Sequence, residues 1–425
     1  MNKAMVNQSA RWQNRGLFRD TLHLSIGQGF RLIIQAAYFV LVARALGPDA
    51  YGAFVTMVAI SALLGPFSGM GTPNLFIKNV RSQKRPANVC WGNGILLTLV
   101  SGTLLSLLAT LLSRLLQLKT AAPVVLTICL ADMVLLKVTE LAASGFTASG
   151  HMKQTSIQNV VASLLRLSGI CGLMAAMRLA MRPVTLENWA KVYLFTTLLG
   201  TVYAITRGSR LWGRPRTDLA ALRKDVAEGV YFSIAGAATT IYNDIDKIML
   251  SKLADLASTG VYAAAYRVID VSMTPIRSLA AAAYPRFFER GVKGIAASYQ
   301  YAQSLIAKTA VYGAVVSAAL WILAPILVTI LGPKYEAVVP AVRWLALIPF
   351  LRCFHSFLAD ALSGAGLQST RMAIQVLVAA ANIAANLVIL PKYSWRGAAW
   401  TSLACDGLLV AVFWFANFFY CRQPK

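Results

Sequence analysis

YNDIDKIMLSKL, residues 242–253, places Asp244, Asp246, Lys247 and Lys252 at the end of a run otherwise suited to hydrocarbon. Upstream, VYFSIAGAATTI (230–241) carries no charge, and downstream GVYAAA (260–265) is again apolar. A helix needs about 20 mainly apolar residues to cross a bilayer. The stretch 230–251 reaches that length only if its charges lie inside the span. A charged side chain at the bilayer centre costs about 2.5–3.5 kcal/mol on insertion scales, so such groups turn towards protein or water. The segment therefore reads as a transmembrane helix with a polar inner face.

The same pattern repeats along the chain. The 425 residues are 57% hydrophobic and 13% charged, with a mean hydropathy of +0.61. Soluble domains carry about 25% charge. We read about twelve spans, near 24–44, 52–77, 89–113, 121–147, 156–177, 189–206, 230–251, 259–284, 303–331, 339–362, 372–391 and 396–420. With this alternation, both termini and the loops on their side hold 21 of the 40 Lys and Arg. Basic loops stay cytoplasmic, so N- and C-termini are expected in the cytoplasm. This topology signal accounts for much of the +24 net charge. No basic stretch interleaves with aromatics on a soluble domain, and nucleic acid is not an expected partner.

The chain echoes itself. VARALGPDAYGAF (42–54) lines up with LSKLADLASTGVY (250–262), and FTASGHMKQT (146–155) with LSGAGLQST (362–370). Pro66 and Pro275 follow inside the next span of each half. Shared turn chemistry of membrane hairpins would give similar echoes. A duplication would give two lobes of like orientation, related by an axis along the membrane normal. On that reading the expected fold is all-α and polytopic, with two six-helix lobes around a central hydrated cavity. Residues 1–206 form the first lobe, 207–229 a cytoplasmic linker, and 230–425 the second.

Polar residues recur at steps of three and four, which trace one helix face. The first span has Gln28, Arg31, Gln35 and Tyr38; the fourth Lys137, Glu140, Ser144, Thr147 and His151. The seventh has Ser233, Thr240, Asp244, Lys247 and Ser251; the eighth Arg267, Asp270, Thr274 and Arg277. The eleventh contributes Gln375, Asn382 and Asn386. Lys247, near a span end, could equally reach water by snorkelling. Asp244 and Arg267, at similar depth, could equally form a structural pair. Gly65, Pro66, Gly69, Gly71 and Pro73 mark a bend in the second span, because each proline removes a backbone donor.

Several chemistries are missing. No GxxxxGK[ST] loop, HExxH or GxSxG occurs, and the three histidines His23, His151 and His355 are far apart. None of the six cysteines forms a CxxC or lies near a histidine in metal-ligand spacing. We expect neither an enzyme nor a cofactor.

The motifs ARALGPDAYGAF (43–54), NDIDKIML (243–250), GVYAAAYRV (260–268) and ANLVILPKYSWRGAAWTSLA (385–404) resemble the polysaccharide-exporting flippases of the multidrug/oligosaccharidyl-lipid/polysaccharide exporter superfamily. The resemblance covers essentially the whole chain. It implies alternating access in a bacterial inner membrane, with a polyprenyl-diphosphate-linked oligosaccharide as substrate. Membrane lipid, a polysaccharide polymerase and glycosyltransferases would be its partners. Arg267 matches the arginine of the family's aromatic–Ala–Arg stretch, and Asp246 its aspartate in the seventh span. Room for twelve spans, where the peptidoglycan-precursor branch has fourteen, favours an O-antigen, capsule or exopolysaccharide unit.

A diphosphate calls for cations that keep their charge, and guanidinium supplies paired planar donors. The expected substrate contacts are Arg31, Arg267, Arg277 and Lys247, with Gln28 and Gln35 beside them. Asp244, Asp270 and Glu140 are the ion-coupling candidates. The rival is a multidrug/cation antiporter of the same superfamily.

Overall fold

The computed structural model describes residues 3–82, 84–115 and 120–422, with side chains from Arg31 onward except those of 235, 238, 239 and 241–243. Among these residues every regular element is a helix. α1 (Lys3–Leu64) bends at Gly47, whose φ of 75° breaks the helix just before Pro48. A 3-10 turn, Gly65–Phe67, leads through Gly69, Met70 and Gly71, all at positive φ, into α2 (Thr72–Arg81). α3 (Ala87–Leu115) follows, then α4 (Ala122–Leu130), a π turn (Ala131–Leu136) and α5 (Lys137–Ala148). α6 (Met152–Leu179) and α7 (Leu186–Trp212) precede the long α8 (Leu219–Leu253). α9 (Leu256–Ser272) stops where Pro275 opens α10 (Thr274–Gly291). α11 (Ile295–Leu323), α12 (Ile326–Leu331), α13 (Val338–Leu345) and α14 (Ile348–Gly364) lead to α15 (Gln368–Arg422). α15 joins the last two expected spans across a kink at Ser394 (φ 52°).

Each expected span falls mainly on helix, and two of the interruptions, at Gly65–Gly71 and before Pro275, sit where the sequence reads as a bend. Asp255 caps α9 by accepting from Ser258 N at 2.6 Å, and Thr185 caps α7 by accepting from Asn188 N at 3.2 Å. These acceptors satisfy amide groups that the first helical turn leaves open.

Side-chain size is distributed as a lipid solvent requires. On α3, Val100, Leu104, Leu107, Leu108 and Leu111 are exposed, while Gly102, Ser106, Ala109 and Ser113 are buried. Large apolar residues outside and small residues at helix contacts are expected where lipid replaces water. Six helical segments among the described residues are long and apolar enough to cross a membrane. The protein is an all-α, multi-pass membrane protein.

The chain forms two compact units. Unit 1 comprises the chain up to Leu46 together with Met57–Asp244; unit 2 comprises Gly47–Thr56 and Ile245–Lys425. Residues 207–229, expected as a linker, are grouped with unit 1. Asp218 N donates to Asn93 Oδ1 at 2.9 Å, Arg85 pairs with Asp225 at 2.6 Å, and Lys78 pairs with Glu228. These contacts draw the segment onto α2 and α3.

Unit 1 has an aromatic core in which Trp212 packs on Phe76, Trp91 and Phe146, with centroids 5.0–5.2 Å away. Its indole donates to Ser149 Oγ at 2.9 Å. Unit 2 is centred on α14, which packs against α10, α11 and α15. Cys353, Phe357, Leu358 and Leu362 of α14 are fully buried there.

Candidate functional site

In unit 2, charged groups from four helices meet around Tyr266. The α14 residue Arg352 donates from Nη2 to the Tyr266 hydroxyl at 2.7 Å and from Nε to Asp406 Oδ2 at 3.3 Å. Its Nη1 lies 3.8 Å from Asp270 Oδ1. One turn along α14, His355 Nε2 sits 3.2 Å from Asp406 Oδ1. Asp406, deeply buried on α15, is thus held between an arginine and a histidine. An unpartnered carboxylate at that depth would be strongly disfavoured, which accounts for the pairing.

Tyr266 also receives the ammonium of Lys247, 5.7 Å above its ring. Tyr262, one turn earlier on α9, stacks at 5.2 Å and donates to Asp246 Oδ2 at 2.6 Å. The Tyr262 hydroxyl is also 2.9 Å from Ser402 Oγ, which lies one turn from Asp406 on α15. Nearby on α15, Asn386 donates to Asn382 Oδ1 at 2.9 Å and accepts from Thr401 at 2.6 Å. The eleventh-span stripe thereby forms a hydrogen-bonded face.

Two residues expected in separate roles prove to be partners. Arg277 Nη2 donates to Asp270 Oδ1 at 2.6 Å across the α9–α10 break. The substrate-contact candidate and the ion-coupling candidate offset each other's charge. Glu140 is likewise bound to Lys137, at 2.7 Å. Arg267 differs: it is exposed on α9, and no ion pair or hydrogen bond to it is found among the described residues. Its electrostatic neighbour is the buried Tyr51.

In unit 1, Tyr193 donates to Asp132 Oδ1 at 2.6 Å, and the Arg166 guanidinium lies 4.9 Å above the Tyr193 ring. Asp132 stands on the π turn, a local widening that shifts side-chain direction and often occurs at functional positions. Trp189 stacks between Tyr193 and Tyr38, 5.8 Å from each. Tyr38 shares its α1 stripe with Arg31 and Gln35, both half-buried. Asp244 is half-buried at the end of this unit. The side chain of Gln28 lies outside the described residues.

Sequence reasoning missed Arg352, His355 and Asp406 in unit 2, and Asp132, Arg166 and Tyr193 in unit 1. The available signal was isolation: Arg166 and Asp406 are each the lone charge inside an expected span after its end residues. Isolated charges make no stripe, so a search for stripes passes over them.

No group of three or more His, Cys, Asp and Glu side chains suited to a metal ion occurs among the described residues. The sequence matches a family model described as polysaccharide biosynthesis protein over residues 17–290. The chain belongs to the polysaccharide biosynthesis protein family.

This polysaccharide biosynthesis protein shares its fold with transporters of the MOP superfamily. An inward-facing multidrug resistance MATE family transporter superposes with a TM-score of 0.72 at 14% identity, covering 96% of this chain and 100% of that one. The lipid II flippase MurJ, in an inward closed conformation, gives 0.74 at 13% identity, covering 92% of this chain and 87% of that one. A MOP superfamily transporter from Pyrococcus furiosus gives 0.62 at 13%, covering 95% and 96%. At these identities the likeness is one of fold. No curated protein matches the sequence.

Proposed function

We propose that this protein is a flippase that moves a polyprenyl-diphosphate-linked oligosaccharide across the bacterial inner membrane by alternating access, with both termini cytoplasmic. Its product would feed O-antigen, capsule or exopolysaccharide synthesis, alongside glycosyltransferases and a polysaccharide polymerase. Family membership supplies the link to polysaccharide assembly, and a lipid flippase shares the fold. The observation that carries the reading is Arg267, an exposed guanidinium on an apolar helix with no carboxylate bound to it among the described residues. Such a group suits a diphosphate, which accepts paired donors from arginine.

In unit 2, Arg267 would be the primary phosphate contact. Lys247 and Arg277 would add positive charge, Arg277 by releasing Asp270 when phosphate arrives. Arg352 is too fully engaged with Tyr266 and Asp406 to be a free ligand, and it positions Tyr266 instead. In unit 1, Arg31 and Gln35 are proposed as substrate contacts, Gln28 with them. Asp244, Asp270 and Glu140 remain the proposed ion-coupling groups.

One observation favours a second reading. Asp132 of unit 1 lies beside the aromatic run Tyr193, Trp189 and Tyr38, a surface that would suit an organic cation once it displaced the Arg166 guanidinium from the Tyr193 ring. That arrangement is what a cation antiporter would use.

Deletion of the gene separates the two. Loss of surface polysaccharide, with lipid-linked oligosaccharide accumulating inside and drug sensitivity unchanged, supports the flippase. Intact polysaccharide with raised sensitivity to cationic dyes rejects it in favour of the antiporter.

A further inference from the structure

A cleft of about 200 Å³ opens in unit 1 where α5 turns into α6 and α7 ends. Gly150, at φ 79°, reverses the chain there, and His151 N donates back to Phe146 O at 2.8 Å. The turn fixes His151 and Gln154 on one wall, with Arg207 and Arg210 of α7 opposite and Phe146 and Leu211 as the apolar lining. Arg207 Nη2 donates to Gln154 Oε1 at 3.3 Å, which spans the cleft.

The charge is one-sided. No carboxylate lines the cleft, and no ion pair to His151, Arg207 or Arg210 is found among the described residues. Neither ASGHMKQTSIQNV (148–160) nor TRGSRLWGRPRT (206–217) contains an acidic residue. Arg81 adds a further guanidinium nearby, donating to Thr147 O at 3.1 Å. Arginines at this density repel one another, and an anion between them would relieve that repulsion.

The surface of α7 favours one class of anion. Phe195, Leu199 and Val202 are exposed and continue at helical spacing through Thr206 to Arg210, all on one face. An outward apolar stripe thus ends in the cationic cleft, at the start of the Arg- and Lys-rich stretch 206–224. A free phosphate would have no use for the stripe. An amphiphile would use both parts, and basic pockets at helix ends hold anionic lipid headgroups.

We infer that this cleft binds the phosphate headgroup of an anionic phospholipid, whose acyl chains lie along the Phe195–Val202 stripe. Arg207 and Arg210 hold the phosphate, Gln154 and His151 donate to its oxygens, and Phe146 with Leu211 covers the glycerol end. The site stands independently of the flippase reading. It would anchor this end of the unit to anionic lipid.

Native mass spectrometry of the purified full chain with phosphatidylglycerol or phosphatidylcholine tests the site. Each basic residue near a membrane surface contributes enough that removing two lowers affinity about 30-fold. Arg207→Gln with Arg210→Gln should therefore lose phosphatidylglycerol retention by that order. Arg114→Gln with Arg178→Gln, on the opposite side, should keep it, and inorganic phosphate should not displace the lipid. Equal retention by both double variants overturns the site, and displacement by millimolar phosphate overturns the lipid assignment. On the unaltered chain, a photoactivatable phosphatidylglycerol should label 146–154 and 207–211. Labelling confined to other segments contradicts the proposal.

Discussion

Gly52 and Gly260, the residues that restart a span in each of the two echoed motifs, pack backbone against backbone within unit 2. A Cβ on Gly260 would collide with the Pro48 carbonyl and stand 3.1 Å from Gly52 N. A Cβ on Gly52 would collide with the Leu256 carbonyl and lie 2.8 Å from Gly260 N. Both neighbours are main chain, so neither can swing aside. This contact explains why Gly47–Thr56 is grouped with unit 2 rather than with the rest of α1.

Gly260→Ala should therefore destabilise the protein by about 1–3 kcal/mol, the usual range for overpacking. Gly407→Ala, where an added methyl meets nothing within 4 Å, should leave the melting temperature unchanged or slightly raised. Thermal unfolding of the two variants in one detergent is the check.

Arg352→Ala should be more damaging, about 3–5 kcal/mol, because it leaves Asp406 buried without its guanidinium. Adding Asp406→Asn should recover much of that loss. A double-mutant cycle read by thermal unfolding measures the coupling, and additive effects would show that the pair observed at 3.3 Å contributes nothing.

Tyr193→Phe removes the hydroxyl that donates to Asp132 at 2.6 Å. The expected cost is about 1–3 kcal/mol, since a buried acceptor loses its partner. Trp189 and Tyr38 keep their stacking in this variant, so intrinsic fluorescence should shift little while the melting temperature falls.

Arg277→Ala and Asp270→Asn should each change stability by under about 1 kcal/mol, because the ion pair is solvent-accessible. Surface polysaccharide export should respond differently, falling sharply in Arg277→Ala at normal membrane abundance. Arg31→Ala should lose export in the same way. Lysine at either position should restore export only in part, for want of the planar fork.

Helix positions and breaks were legible because length, hydropathy and proline chemistry act locally. The bend read at Gly65–Pro73 appears as a 3-10 turn followed by positive-φ residues, and Pro275 starts a new helix where the eighth span was expected to carry it. Pairing was less legible. Arg277 and Asp270 lie seven residues apart, which one helix places on a common face, yet nothing in the spacing says that the α9–α10 break lets them touch. Arg352, His355 and Asp406 come from α14 and α15, distant in sequence, and only tertiary packing brings them to Tyr266. A stripe in the sequence marks a helix face, and tertiary packing decides what that face meets.

The most direct test of the account is translocation itself, in proteoliposomes carrying a labelled polyprenyl-diphosphate oligosaccharide in one leaflet. Lectin or periodate accessibility from the far side reports transfer. The account expects transfer by the unaltered protein and its loss in Arg267→Ala at equal reconstitution and equal melting temperature. Transfer undiminished by Arg267→Ala, or no transfer of this lipid alongside transport of a cationic dye, would contradict it.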